Sequence, residues 1–296
     1  MMTDVTEDDA ALQPVVAAEL LSLACLLSTM SAEQWDTPSL CAGWRVREVV
    51  AHMTMAARYS EEEFMAELKR CGFDFTRLSN EVAARDAGLP VDELVGNLRS
   101  EVMLHWAPPG GGYHGALNHA VIHGLDVTEP LGVGRLSPDD TIRIILGDLT
   151  QGETHGQFGI DIARRRLEAT DLDWSFGAGP VLRGPAADLA LVLCGRSVPP
   201  GRLDGAPLAR LPGAGRAAPM QWFSHPDDDM FSAKCGWGDH GLVSRVGDRR
   251  RRRGGARVRR LSLQRPVRPR GHRDRRGRAG SGGRRLRFKA HHAGPG

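Results

Sequence analysis

The chain changes character near residue 220, and that break bounds what can fold. Residues 220–296 hold 19 Arg and 2 Lys against 6 Asp, a net of +15, and beyond Gly238 the sole aromatic residue is Phe288. A segment this poor in apolar side chains cannot offset a chain-entropy cost of ~1–2 kcal/mol per residue. It is expected to be a disordered, Arg/Gly-rich tail. Residues 1–219 carry 18 basic against 30 acidic side chains, a net of −12, which the overall +3 conceals. The tail could bind nucleic acid by charge, with strong salt dependence. The sequence, however, offers no helix-turn-helix, zinc-finger spacing or interleaved aromatic platform to accompany it. Nucleic acid is therefore not the expected partner, and an extension translated from a shifted reading frame accounts for the same composition without selected function.

Within the acidic part the apolar spacing is helical. Leu12, Val15, Val16, Leu20, Leu23, Leu26, Leu27 and Met30 recur every three or four residues, which predicts an amphipathic helix over 10–30. Pro38, Ser39 and Gly43 interrupt the pattern, and Val46, Val49, Val50, Met53 and Ala57 resume it as a second helix running to about Cys71. A third helix, entered through Pro90, covers Asp92 to His105. The run Pro108–Gly112 must be a loop. A fourth helix is expected from Ala116 to about Leu131, closed by Gly132. Four helices joined by short turns suggest an antiparallel bundle.

The next segment has a different pattern. Thr141 to about Leu167 reads as helix through Ile142, Ile145, Leu146, Leu149, Phe158, Ile162 and Leu167, weakened by four glycines. Residues 172–176 alternate like a strand, Gly177–Pro180 turns it, and Val181–Arg183 is the expected hairpin partner. Pro185–Cys194 reads as a helix with proline near its start. Val15–Leu27, the longest apolar-rich stretch, is interrupted by Glu19 and Ser22 and is short for a bilayer, so neither a membrane span nor a secretory signal is expected. The five cysteines are odd in number, scattered and without a C-x-x-C pair, which points to a reducing, cytoplasmic setting.

Three histidines could carry chemistry. His119 and His123 stand four apart on the fourth helix, so their side chains share a face and can grip one metal ion. His52, in the second helix at the edge of its buried stripe, can be brought opposite them by a bundle. Imidazole suits zinc, nickel, iron and copper, and three neutral nitrogens with one open position make a catalytic site. The alternative for each is a hydrogen-bonded core histidine. Ala120 follows His119, so the H-E-x-x-H peptidase pattern is absent. Asp126, three residues beyond His123, could accept a hydrogen bond from a ligand imidazole or be an ordinary helix residue.

Trp35, Pro38-Ser39-Leu40-Cys41-Ala42-Gly43-Trp44, Val46-Arg47-Glu48-Val49-Val50-Ala51-His52, His119-Ala120-Val121-Ile122-His123-Gly124-Leu125-Asp126 and Leu131-Gly132 resemble the mycothiol-dependent maleylpyruvate isomerase family, a branch of the DinB-like metal-binding bundles. Thr170-Asp171-Leu172-Asp173-Trp174, Gly177, Gly179-Pro180, Arg183-Gly184-Pro185-Ala186 and Gly195-Arg196 look like the small domain attached to that bundle. The resemblance covers about residues 10–211. It implies a mainly α fold: a DinB-like four-helix bundle over 8–135, a small α+β C-terminal domain over 138–211 and the tail over 220–296. It further implies a divalent metal, zinc first, held by His52, His119 and His123. Mycothiol would be the low-molecular-weight thiol cofactor, and the activity an isomerase or transferase on a small electrophilic substrate. Isomerase members are expected to carry Glu where this chain has His119, a departure that keeps metal binding and removes one negative charge. An anionic substrate would need a cation, for which Arg196 is the candidate clamp, with a surface or capping arginine as the alternative. Trp44 and Trp106 flank the site elements, as ligand wall or as core.

Overall fold

The computed structural model describes residues 7–151 and 158–211, which fall within one compact unit. Ten helices come first among the described residues. They are α1 Glu7–Ala10, α2 Gln13–Leu27, α3 Ala32–Trp35, α4 Val46–Met53, α5 Met55–Arg58, α6 Glu61–Arg70, α7 Phe75–Asp86, α8 Val91–Leu98, α9 Glu101–His105 and α10 Gly112–Thr128. After α11 (Asp139–Gln151) come β1 Ile160–Asp161, β2 Arg166–Ala169, β3 Ser175–Gly177, β4 Val181–Gly184, α12 Ala186–Leu193, β5 Asp204–Gly205 and β6 Ala209–Arg210. The chain is mainly α with a small strand-bearing C-terminal part, as the sequence predicts. The basic tail expected to be disordered lies outside the described residues.

The bundle is built round α10. It packs on α2 and α4, while α8 and α9 close the ring against α2, and α8 also meets α4. Its far side meets α11 and α12. A helix covered on so many sides keeps little solvent face beyond its first turn, and Leu117, Ile122, Leu125 and Val127 are buried alongside Asn118, His119, His123, Asp126 and Thr128. Buried polar groups need partners, so α10 is where chemistry is to be sought. Its N-terminus is capped from a distance: the Asp9 carboxylate accepts the backbone N–H groups of Tyr113 and His114, both at 3.0 Å.

Several elements depart from the sequence expectation. The second helix is three helices, because Thr54 turns its hydroxyl back to Val50 O and Tyr59 is extended. Ser60 then starts α6 with a reciprocal capping box to Glu63. The third helix restarts at Ser100, whose hydroxyl caps Met103 N–H. Helix α7 was not foreseen; its Leu78 and Val82 form a satellite core with Met55, Leu68 and Cys71, apart from the main one. The predicted helix over 141–167 ends at Gln151, and Ile160 and Leu167 belong to strands.

In the sheet of order β3-β2-β4-β5, β4 is not the hairpin partner of β3. It lies parallel to β2 on the opposite edge, with Leu167 facing Leu182, while β3 pairs antiparallel with β2. The Gly177–Pro180 turn carries the chain across the start of β2. A Cβ on Gly179, whose φ is +128°, would sit 2.1 Å from Arg164 O, so only glycine allows that crossing. α12 then packs back against α10 and α11 and ends beside Arg196.

Residues 8–27 form a run of 20 residues with mean hydropathy 1.8, long and apolar enough on those measures to cross a membrane. Here Val16, Leu20, Leu23, Ala24 and Leu27 of that run are packed into the main core, as in a buried helix of a bundle.

Candidate metal centre

His52 comes from the last turn of α4, whose start is fixed by Glu48 accepting the backbone N–H of Arg45 at 2.8 Å. His119 and His123 come from α10. The three rings meet, with centroids 5.2 Å (His52–His119), 5.0 Å (His52–His123) and 4.8 Å (His119–His123) apart. One ligand nitrogen from each lies within 4.8 Å of the others, and the Nε2 atoms of His52 and His119 are 3.3 Å apart. The residues are 4%, 6% and 0% exposed. Aromatic rings wall the group: Trp44 is 5.1 Å and Phe75 6.4 Å from His52, and Trp106 is 5.5 Å from His119, centroid to centroid.

Burial, then the proximity of the other imidazoles, pushes the pKa of His52 well down; burial and His123 do the same to His119. Burial also lowers His123, against the opposing pull of Asp126. The rings are thus held neutral, the form that offers a lone pair. His123 Nδ1 lies 2.9 Å from Asp126 Oδ2, so Nδ1 donates and Nε2 is the acceptor. His123 Nε2 is buried and has no hydrogen-bond partner among the described residues. A buried acceptor without a donor is costly, and a cation among three such nitrogens would satisfy it. The donor set fits a divalent metal ion.

Behind His123 the Asp126 carboxylate gathers four donors. Arg196 Nε reaches Oδ1 and Arg196 Nη2 reaches Oδ2, both at 2.9 Å, while Cys41 Sγ and His123 Nδ1 approach Oδ2 at 3.0 and 2.9 Å. Burial alone would raise the pKa of Asp126. The charge of Arg196, with the hydrogen bonds from His123 and Arg196, outweighs it and holds the carboxyl well below the usual range. Cys41 is pushed well up by burial and by the charge of Asp126, so it is a thiol. Arg196, read from sequence as a clamp for a substrate carboxylate, has a side chain only 2% exposed and forks onto this internal carboxylate. Cys41 was missed as a site residue, although it stands inside the Pro38–Trp44 motif. Trp44 Nε1 donates to Asn80 Oδ1 of the unforeseen α7 at 3.0 Å.

Residues 16–103 match the family described as the mycothiol maleylpyruvate isomerase N-terminal domain. That stretch, from α2 into α9, is similar to the family. The match takes in Cys41, Trp44 and His52 and ends before α10, so His119, His123, Asp126 and Arg196 lie outside the part matched to the maleylpyruvate isomerase domain. Two solved structures are similar over 71% of this chain and 96% of theirs. One is the mycothiol-dependent maleylpyruvate isomerase, at 16% identity and a TM-score of 0.41; the other is a histidine-to-alanine mutant of it, at 15% and 0.43. No curated protein matches the sequence.

Proposed function

We propose that this chain is a metal-dependent enzyme of the mycothiol-dependent maleylpyruvate isomerase type, an isomerase or transferase that uses a small-molecule thiol on a small electrophilic substrate. The carrying observation is the convergence of three buried, neutral imidazoles, one whose Nε2 has no partner among the described residues, in a chain whose residues 16–103 are similar to that family. His52, His119 and His123 would hold the ion, with zinc as the proposed metal. When bound, such an ion supplies Lewis acidity and lowers the pKa of a coordinated thiol into the neutral range.

The protein's own residues prepare that centre. Asp126 accepts a hydrogen bond from His123 Nδ1–H and so fixes both tautomer and ring orientation. Arg196 keeps Asp126 ionised in a buried position and acts on the centre through it, as a positioning residue. Trp44, Phe75 and Trp106 exclude water from the imidazoles, which strengthens every electrostatic interaction among them. Trp106 Nε1 is buried without a partner among the described residues, a donor available to a bound ligand. Cys25, Cys41, Cys71 and Cys194 are all free thiols, in keeping with a cytoplasmic setting.

A second reading, a DinB-like metal-binding protein without isomerase activity, is favoured by His119 standing where isomerase members are expected to carry a carboxylate. Elemental analysis of the purified protein and of His52→Ala and His123→Ala, followed by a maleylpyruvate assay with and without mycothiol, separates the readings. Metal at one equivalent, lost in both variants, with thiol-dependent turnover supports the first. Metal without turnover leaves the second, and metal retained in both variants refutes both.

A further inference from the structure

The Pro38–Arg45 loop is built to deliver one side chain. Ser39 Oγ accepts the N–H of Cys41 at 3.1 Å and donates to Trp44 O at 2.8 Å, and Trp44 N–H closes onto Cys41 O at 3.0 Å. Gly43 turns the chain at φ +83°. The loop is moored to α10 at Asp126, where Leu40 N–H donates to the backbone oxygen at 3.1 Å. The next side chain, Cys41, then meets the carboxylate of that same Asp126.

We infer that Cys41 is a positioning residue of the metal centre, its S–H holding the Asp126 carboxylate in the orientation that fixes His123. The inference rests on the reading that the histidine trio holds a metal. A sulfur 3.0 Å from a buried carboxylate oxygen must carry a proton, because two anions would not settle at that distance without water. Asp126 offers about four acceptor positions, and Arg196, His123 and Cys41 bring four donors to it, one at Oδ1 and three at Oδ2. Removing the thiol takes away one of the three groups that crowd Oδ2 and leaves Arg196 and His123 to set the carboxylate between them, so that it can shift on the Arg196 fork relative to His123 Nδ1. Cys41, His123 and Asp126 also form a set with metal-ligand spacing. The guanidinium of Arg196, 3.5 Å from Cys41 Sγ and bonded to both oxygens of Asp126, already supplies the positive charge there. That set is the support of the histidine centre rather than a second one.

Cobalt(II) titration of the full-length, metal-stripped protein tests this through the visible absorption of the bound ion. Cys41→Ser keeps a donor and should bind cobalt within about threefold of the parent. Cys41→Ala and Cys41→Val lose it and should bind about tenfold more weakly, at the low end of the range for residues supporting a ligand. A packing role gives the opposite order, since valine fills the apolar space better than serine, so affinity above valine for serine is the decisive rank. Valine also serves should the alanine variant fail to fold. Serine no better than valine, or valine equal to the parent, overturns the inference while leaving the metal reading intact. A parent protein that takes up no cobalt overturns the metal reading and the inference with it.

Discussion

Asp126→Asn is the sharpest single test of the buried network. The side chain is fully buried and receives four donors, two of them from a guanidinium that is itself 2% exposed. Asparagine keeps the shape, but its one oxygen can serve about two donors, and its amide turns N–H groups toward the rest. More costly, Arg196 is left as a buried cation with no anion. Removing one partner of a buried ion pair costs about 3–5 kcal/mol, a large share of the ~5–15 kcal/mol that holds a domain together. Urea unfolding of the metal-free protein at pH 7 should show that loss. Replacing both partners, as Asp126→Asn with Arg196→Met, should recover much of it, because no unpaired charge then remains. A single variant within about 1 kcal/mol of the parent, or a double variant as unstable as the two losses added, would refute the claim that this pair is desolvated and coupled.

Two further outcomes follow from the rest of the fold. Glu19 is buried, with Ser137 Oγ donating to its Oε2 at 2.7 Å, and desolvation raises its pKa. An acid whose folded pKa exceeds its unfolded value stabilises the fold most below the unfolded pKa and loses that contribution as pH rises through the folded one. Glu19→Gln should therefore raise the thermal midpoint at pH 7 and change it little at pH 4, and equal shifts at both would count against it. Gly179→Ala places a Cβ 2.1 Å from Arg164 O at φ +128°; strain alone should cost about 1–3 kcal/mol in urea unfolding, and an unchanged midpoint would mean the β3–β4 crossing is not rigid.

What could be read from the sequence was what is local. His119 and His123 share a face because one helix carries both at four-residue spacing, and the apolar period of α10 is unbroken. His52 needed the second corner of a bundle, which the spacing of α4 supplied even though the helix stops at Met53. The breaks at Thr54 and Tyr59 were invisible because apolar residues keep helical spacing straight through them; the capping box at Ser60–Glu63 was the available signal. Ile160 and Leu167 were misplaced for a related reason. Strands of two to four residues have no period of their own, and their partners, β6 for β1 and β3 and β4 for β2, lie elsewhere in the sequence. Cys41 and the true partner of Arg196 depend on contacts spanning 85 and 70 residues, which no local pattern encodes.

The arrangement also dictates how metal and stability are linked. Three elements meet behind His123: α10 supplies the ring and Asp126, the loop before α4 supplies Cys41, and the turn after α12 supplies Arg196. An unfolded chain holds none of these together, so an ion that binds the trio binds the folded state alone. At a free concentration 100 times its dissociation constant such an ion adds ~2.7 kcal/mol to the stability. A variant whose affinity is tenfold weaker, measured at the same concentration, should gain about 1.3 kcal/mol less. Thermal unfolding with zinc buffered at fixed free concentrations, with and without chelator, reads this directly. The parent should rise in step with the logarithm of zinc concentration, and His123→Ala should not rise at all. A zinc-dependent rise that survives that substitution would place the bound ion elsewhere, since His123 is the one ligand that Asp126 aligns.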